Sequence, residues 1–190
     1  MPRKDAPSPY ERPFRALSHR DLLNEFEIAL RAADGVQGAH CIHELSIRNE
    51  FPQHIERALG QLWQSAAKTV PDWLPMRYVS WLPLAYEISA RFKATQRGKT
   101  NIYLILLDYS DRRGDPHGVY VGMSAYSPAA RFDQHKAGIR AAGSVLKRGI
   151  EVLTGPTLHL QHIARVEAAR IEAELAEALS DAGIHAEGGH

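Results

Sequence analysis

The sequence predicts an α+β protein in which a small antiparallel sheet is flanked by helices. Residues 101–109, NIYLILLDY, form a short apolar run rich in strand-forming residues. A polar loop with glycine and proline follows, and VYVGM, residues 119–123, returns as the second strand of a hairpin. Apolar residues spaced three and four apart between Ala168 and Ala182 predict a long helix near the end of the chain.

The first half of the chain predicts helices. Residues 1–19 are rich in proline and charge, and we expect them to be disordered. Residues 20–97 are expected to form a helical accessory region whose core contains Trp63, Trp73 and Trp81. The helical patterns fall within residues 18–35, 50–70 and 83–99.

Residues 98–190 are expected to form a separate α+β domain. After the hairpin, Ser127 is a suitable N-cap and Pro128 suits the first helical position, so we expect a helix that ends at Gly143. The alternation in TLHLQHIA, residues 157–164, predicts a third strand before the last helix.

Composition restricts the compartment and the kind of site. The chain has 190 residues, a net charge of +1 and one cysteine, Cys41, which excludes an intramolecular disulfide. We find neither a membrane span nor a signal peptide, and we expect a cytoplasmic protein with no membrane partner. The segment HCIHE, residues 40–44, contains residue types that bind zinc, but its spacing fits no known zinc site. We expect it to be a loop or packed core.

The motifs of the second half are ordered along the chain. NIY ends at Tyr103, and YVG begins at Tyr120, with sixteen residues between the two tripeptides. Arg131 follows the glycine of YVG by nine residues, and His135 lies one helical turn beyond it. On the last helix, EAARIEAELA contains Glu172 beside the apolar stripe.

In this order the motifs resemble those of the GIY-YIG nucleases, over residues 100 to 190. The resemblance implies a metal-dependent endonuclease that hydrolyses phosphodiester bonds with one Mg²⁺ or Mn²⁺ ion. It implies that the catalytic residues are Tyr103, Tyr120, Arg131, His135 and Glu172, with Glu172 as the metal ligand. The chain departs from the family pattern in three ways: Asn101 replaces the first glycine, the hairpin gap is longer, and the usual asparagine near the end is absent.

The residue types suit phosphodiester cleavage. A tyrosine accepts a proton from water only if its pKa is lowered, which a nearby metal ion or arginine would favour. Residues 131 and 135 lie on one helix face, so Arg131 and His135 can reach the same point. Glu172 offers the hard oxygen ligand that magnesium accepts, although Glu167, Glu174 and Glu177 are alternatives on the same helix. We interpret the glycine of YVG, Gly122, as space for a phosphate backbone.

Charge along the chain suits a polyanionic partner, and the resemblance leads us to expect that this partner is DNA. Residues 91–150 contain eleven Lys and Arg but only four Asp and Glu. Within this span we expect DNA phosphates to be bound by Lys136, Arg140, Lys147 and Arg148. A solvated basic face remains an alternative explanation for the charge. The alternative function is a catalytically inactive module of the same fold that binds nucleic acid or a protein partner.

Overall fold

The structure, a computed structural model, describes residues 7–188 and divides the chain into two compact units. The first unit is Met1–Pro83 and the second is Leu84–His190. This division lies earlier than the predicted boundary at residue 97. Residues beyond Leu84 belong with the second unit because, for example, the His159 ring donates a hydrogen bond to the Ser89 carbonyl, with Nε2 and O 2.9 Å apart.

The first unit is helical, as the sequence predicts. A short 3₁₀ turn at Pro9–Glu11 precedes three helices. These are α1 (His19–Ala32), α2 (Gly35–Ile47) and α3 (Pro52–Ala66). The Ser18 hydroxyl accepts a hydrogen bond from the Asp21 backbone N–H and so caps α1. Ala33, with a φ of 51°, ends α1, whereas Gly35, the last residue of the predicted helical pattern, begins α2.

Helix α2 confirms that the HCIHE segment is packed core and excludes the alternative of a loop. The segment is core, but it is helical, and His40, Cys41, His43 and Glu44 are all buried. Because α2 is covered on most of its surface, it lacks the apolar stripe by which an amphipathic helix is recognised. The ring of Trp73 lies 4.9 Å from the His40 ring, measured between ring centroids.

The expected disorder of residues 1–19 is not what the structure shows for its described part. Met1 to Ala6 lie outside the described residues. Beyond them, Phe14 and Leu17 pack against the core of the first unit. The Arg12 guanidinium donates two hydrogen bonds of 3.0 Å to the carboxylate of Glu44. A buried carboxylate needs such a partner, and the sequence around Arg12 alone does not reveal it.

The predicted tryptophan core is confirmed for Trp73 and Trp81, which are both buried, and Trp73 lies in the main buried cluster of the first unit. Trp63 is partly buried and packs against this cluster. Trp81 is buried, but it is not a member of the cluster.

The second unit alternates strands and helices. Helix α4 (Leu82–Ser89) crosses the division between the units and ends well before the predicted limit at residue 99. The remaining helices and strands of the second unit are β1 (Asn101–Asp108), β2 (His117–Ser124), α5 (Pro128–Lys136), α6 (Gly143–Arg148), β3 (Gly149–Val152), α7 (Arg165–Asp181) and β4 (Ala186–Gly188). Within residues 7–188, no helix combines the length and the apolar character needed to cross a membrane.

The α+β class is confirmed, but the sheet is mixed where we predicted it to be antiparallel. Its four strands lie in the order β3-β1-β2-β4. Strands β1 and β2 form the predicted antiparallel hairpin, and β3 pairs antiparallel with β1. Strand β4 runs parallel to β2 because the chain crosses over through α7 before it reaches the sheet edge.

Two predictions for the second unit are wrong: the strand at residues 157–164 and the end, at Gly143, of the helix that follows the hairpin. Residues 157–164 contain no strand; a 3₁₀ turn at Gly155–Thr157 is followed by an irregular segment with one isolated bridge, between Thr100 and Ile163. The third strand is β3, which the sequence analysis missed. Gly143 begins α6, whereas α5 ends at Lys136. Leu160 and Ile163 are each buried although they belong to an irregular segment. Apolar residues therefore recur in residues 157–164 without forming a strand.

Candidate active site

Strands β1 and β2 place two tyrosines on the same face of the sheet. Tyr103 lies opposite Gly122, and Ile105 lies opposite Tyr120, so both tyrosine side chains point to one side. Their ring centroids are 6.2 Å apart. A β-carbon at position 122 would lie 2.5 Å from the Tyr103 hydroxyl oxygen and 2.8 Å from the Tyr120 ring. Gly122 therefore makes room for the tyrosines, and its interpretation as space for a phosphate is corrected.

Helix α5 brings His135 to the Tyr103 hydroxyl. The helix begins as predicted, with Ser127 as its cap and Pro128 at its start. His135 is buried, and its Nε2 lies 3.0 Å from the Tyr103 oxygen. Its Nδ1 accepts a hydrogen bond of 3.1 Å from the Ala142 backbone N–H. Because Nδ1 is an acceptor, the proton lies on Nε2, and the imidazole donates to Tyr103.

The electrostatic environment keeps His135 neutral. Burial, and then the positive charge of Arg131, lower the pKa of His135 to about 4. The ring is therefore uncharged at neutral pH and keeps its single N–H directed at Tyr103.

Burial keeps both tyrosines protonated. It is the largest cause that raises the pKa of Tyr103 above the ordinary value, and Tyr120 and Glu172 add to it. Burial and then Glu172 likewise raise the pKa of Tyr120. Arg131 opposes this effect at both phenols, and a hydrogen bond from Tyr103 opposes it at Tyr120. His135 therefore donates to Tyr103, and Tyr103 in turn lowers the pKa of Tyr120, so the three side chains act on one another.

Arg131 joins the site to the loop that follows α5. Its guanidinium donates to the carbonyl oxygens of Ile139 at 3.2 Å and Arg140 at 2.8 Å. It also donates to Gln134 Oε1 at 3.0 Å. Its hydrogen bond and charge lower the pKa of Tyr103, so the guanidinium also acts on the tyrosine pair. Arg131 and His135 therefore meet at Tyr103, as their helical spacing predicts.

Glu172 differs in burial from the other candidate glutamates on α7. Its side chain is buried, whereas Glu174 and Glu177 are exposed and Glu167 is intermediate. Glu174 also pairs with Arg170 at 2.7 Å. Because the charge of Glu172 raises the pKa of both tyrosines, its carboxylate lies within electrostatic reach of them. Position and burial therefore favour Glu172 among the alternatives.

The donor set suits a cation with few protein ligands. Among residues 7–188, no three His, Cys, Asp or Glu side chains are grouped closely enough to hold a metal ion. A cation at Glu172 would take one carboxylate from the protein, with water and substrate oxygens completing its shell. Magnesium commonly binds in this way, because it keeps several of its waters.

Three of the five predicted catalytic residues are buried. We expected Tyr103, Tyr120, Arg131, His135 and Glu172 to line one concave surface. The structure brings them together, but Tyr103, His135 and Glu172 are each less than 10% exposed. Only the two remaining residues reach the surface. The difference arises because Phe132 and Val145, from α5 and α6, pack over the Tyr103 face of β1.

A groove lies beside the exposed end of this cluster. Its volume is about 580 Å³, and Arg131, Arg140 and Arg165 line it together with residues of the loop between β2 and α5. No carboxylate from the described part of the chain lines this groove. Sequence reasoning missed Arg165, which is the first residue of α7 and lies outside every motif.

The predicted DNA-binding residues fall into two groups. Lys136 donates to the carbonyl oxygens of Leu146 and Gly149, each at 3.2 Å, and so holds the end of α6. Arg148 binds both carboxylate oxygens of Asp111, at 2.7 and 2.9 Å. Arg140 and Lys147 are exposed to solvent, as Lys136 is, but neither is held by a side-chain contact of this kind within residues 7–188. These last two are the predicted cations best placed to meet a partner.

The sequence has no counterpart to the asparagine that the nuclease family carries near its end. In this part of the chain, strand β4 contains a glutamate, Glu187. Glu187 lies beside Tyr120 in the strand register. Its carboxylate accepts a hydrogen bond from the Tyr109 hydroxyl, and His185 Nε2 lies 3.2 Å from it. These contacts fasten the end of the described chain to the sheet.

Comparison with known proteins leaves these contacts as the basis for assigning a function. No protein-family model, curated protein or solved structure matches this chain. Function is therefore inferred from the residues around Tyr103 and from the groove beside them.

Proposed function

We propose that residues 98–190 form a metal-dependent endonuclease of the GIY-YIG type that hydrolyses phosphodiester bonds in DNA. The observation that carries this proposal is the contact between Tyr103 and His135, 3.0 Å apart, with Tyr120, Arg131 and Glu172 acting on the same phenols. A simple packing role would not require a buried histidine, an arginine and a glutamate around two tyrosine hydroxyls.

In this proposal Tyr120 first loses its phenol proton to solvent and then, as the phenolate, accepts the proton of the attacking water. It is the half-exposed end of the chain that begins at His135. His135 donates to Tyr103, and Tyr103 would donate to Tyr120 as its phenolate forms, so each donor would stabilise negative charge on the next oxygen. The chain therefore lowers the cost of forming a phenolate at the surface, where substrate can reach it.

Glu172 would hold a single Mg²⁺ or Mn²⁺ ion. When bound there, the ion supplies positive charge to the scissile phosphate and offsets the carboxylate charge that raises the pKa of Tyr120. Arg131 stabilises the negative charge that grows on the phosphate oxygens, since its planar guanidinium matches the geometry of those oxygens. Arg140 and Lys147 contribute contacts to the DNA backbone.

A second function is favoured by the burial of the site. Tyr103, His135 and Glu172 are shielded from solvent, and both tyrosine pKa values are raised. A catalytically inactive module of the same fold, which binds nucleic acid or a protein partner, would tolerate this burial. In that case the cluster would serve only to hold α5 and α7 to the sheet.

Cleavage assays separate the two functions. Purified protein is incubated with supercoiled plasmid and with single-stranded DNA, with and without Mg²⁺ or Mn²⁺. The nuclease proposal expects metal-dependent nicking that Glu172→Gln abolishes, because an amide keeps the shape of the side chain but loses its charge. Glu174→Gln, on the exposed side of the same helix, serves as the matched control and should cut like the wild type. DNA binding without cutting would replace the enzyme with the binding module.

A further inference from the structure

The loop between β2 and α5 presents an exposed aromatic ring on a fixed backbone. The side chain of Tyr126 is 57% exposed. Its backbone N–H donates to the Ser124 hydroxyl at 3.1 Å, and its carbonyl accepts from Asn101 Nδ2 at 3.0 Å. Both backbone polar groups are therefore held while the ring faces solvent. An aromatic side chain held in this way binds a partner at low entropic cost.

Asn101 holds two walls of the groove together. Besides the carbonyl of Tyr126, its amide group engages the His162 backbone N–H through Oδ1, at 3.0 Å. His162 lies three residues before Arg165, the first residue of α7. The buried amide of Asn101 thus fixes the position of the tyrosine loop relative to the start of α7. Both segments contribute residues to the groove.

The groove suits a phosphodiester strand. Arg131, Arg140 and Arg165 line it, and Tyr126 lies at the same groove beside Ile139, which is 55% exposed. Three guanidinium groups favour phosphate oxygens, and an exposed aromatic ring favours the face of a base. A groove of about 580 Å³ lies within the range of small-ligand pockets, which suits a short stretch of one strand.

We propose that this groove binds single-stranded DNA, or an unpaired stretch within duplex DNA, with a base stacked on Tyr126. The inference deepens the proposed nuclease function and rests on it for the claim that the bound strand is the one that is cut. Arg131 lies in both the groove and the tyrosine cluster, so a strand in the groove leads towards the cluster.

An unpaired base is required because stacking on Tyr126 needs an uncovered base face. In a double helix both faces of each base are covered by its neighbours, whereas single strands offer them to aromatic side chains. Duplex recognition would instead bury a protein surface much larger than this groove.

Binding measurements test the stacking contact directly. A short fluorescein-labelled single strand, and the same sequence as a blunt duplex, are titrated with the full chain in EDTA, and anisotropy is followed. We expect the single strand to bind more tightly than the duplex. Tyr126→Ala should weaken single-strand binding about 5- to 100-fold, and Tyr126→Phe should retain most of it. Equal affinity for the two probes, or wild-type binding by Tyr126→Ala, would overturn the inference.

A control variant shows that the effect belongs to the groove. Phe51 is another exposed aromatic residue, 63% exposed, and it lies in the first unit. Phe51→Ala should bind the single strand like the wild type. Loss of binding in both alanine variants would contradict a specific role for Tyr126.

Salt dependence tests the arginines. If Arg165 contacts a phosphate, Arg165→Gln should reduce the slope of log affinity against log salt by about 0.7 for the single strand. Arg170→Gln, an exposed arginine further along α7, should leave the slope unchanged. Identical slopes for the wild type and Arg165→Gln would remove this contact from the proposed groove.

The two proposals fail in distinguishable ways. If no metal-dependent cleavage occurs but single-strand binding depends on Tyr126, the nuclease function fails and the binding groove stands. If the protein cuts duplex and single-stranded DNA equally, and Tyr126→Ala changes neither rate, the groove inference fails and the nuclease function stands.

Discussion

Tyr103 and His135 form a buried hydrogen bond of 3.0 Å whose direction is set by a third group. The Ala142 backbone N–H occupies His135 Nδ1, which leaves the proton on Nε2. The imidazole therefore donates, and the phenol oxygen accepts. This direction leaves the Tyr103 proton available to Tyr120, and it makes His135 a positioning residue for the proposed reaction.

A double-mutant cycle measures this bond. Tyr103→Phe removes the acceptor of a buried N–H, which should cost about 1–3 kcal/mol in the free energy of unfolding. His135→Ala should destabilise the protein as well, and the two changes together should cost less than their sum by about 0.5–3 kcal/mol. Urea unfolding of the four proteins gives the coupling. Tyr126→Phe, which removes a hydroxyl from an exposed ring, should have almost no effect, and fully additive losses would contradict the bond.

Substitution of Gly122 tests the packing of the two tyrosines. Gly122→Ala would place a β-carbon 2.5 Å from the Tyr103 hydroxyl and 2.8 Å from the Tyr120 ring, so one of the rings must move. We expect a loss of about 1–3 kcal/mol in unfolding free energy, together with loss of cleavage. At Gly143 an added β-carbon would meet nothing within 4 Å, so Gly143→Ala is the matched control and should unfold like the wild type. A stable, active Gly122→Ala protein would show that the tyrosines are not tightly packed.

Arg131 should affect turnover more than DNA binding. Arg131→Ala removes a charge that is needed most when the phosphate gains negative charge, so the cleavage rate should fall by about 10²-fold or more. Arg140, Arg165 and Lys147 remain to contact the phosphates, so affinity should fall much less. Cleavage rates and anisotropy titrations of the same preparation separate the two effects. Arg131→Lys tests the planar geometry of the guanidinium, because lysine keeps the charge but cannot make all three hydrogen bonds to Gln134, Ile139 and Arg140. Parallel losses of rate and affinity in Arg131→Ala would assign Arg131 to binding alone.

Stability should fall as pH is lowered from neutral, because a buried histidine must then take up a proton. Burial is the largest cause that lowers the pKa of His43 to about 4, and His40 and Arg12 lower it further, against the opposing charge of Glu44. The unfolded chain binds this proton near pH 6.5, so stability is complete above that value and is lost as pH falls towards 4. Acidification from about pH 7 to about pH 5 should cost roughly 2 kcal/mol from this group.

The measurement is urea unfolding across this pH range. His43→Gln should reduce the pH dependence but not abolish it, because the glutamine does not titrate whereas His135, whose pKa is also lowered to about 4, still does. Gln53→Ala, a change at an exposed residue of α3 that does not titrate, should keep the wild-type pH dependence. A His43→Gln protein with an unchanged slope would mean that other groups carry the acid sensitivity.

Local patterns in the sequence were sufficient to predict several elements. The apolar run from Asn101 and the β-branched residues around Tyr120 predict the hairpin because each pattern reflects the burial of its own strand. Ser127 and Pro128 predict the start of α5 through a hydrogen bond and a backbone angle that are both local. Helical spacing also predicts that Arg131 and His135 share a face.

Only the tertiary structure decided the elements and contacts that join distant parts of the chain. Strand β4 has three residues and no strand pattern of its own; it forms because α7 returns the chain to the edge of β2. In the sequence, Asn101 is only a departure from the first nuclease motif. In the structure, its amide donates a hydrogen bond to the Tyr126 carbonyl and accepts one from the His162 backbone N–H. Arg165 of α7 and Arg131 of α5 line the same groove only because the two helices pack on the same sheet. A residue's local pattern reports its own burial and backbone, whereas its partners depend on how the helices and strands pack together.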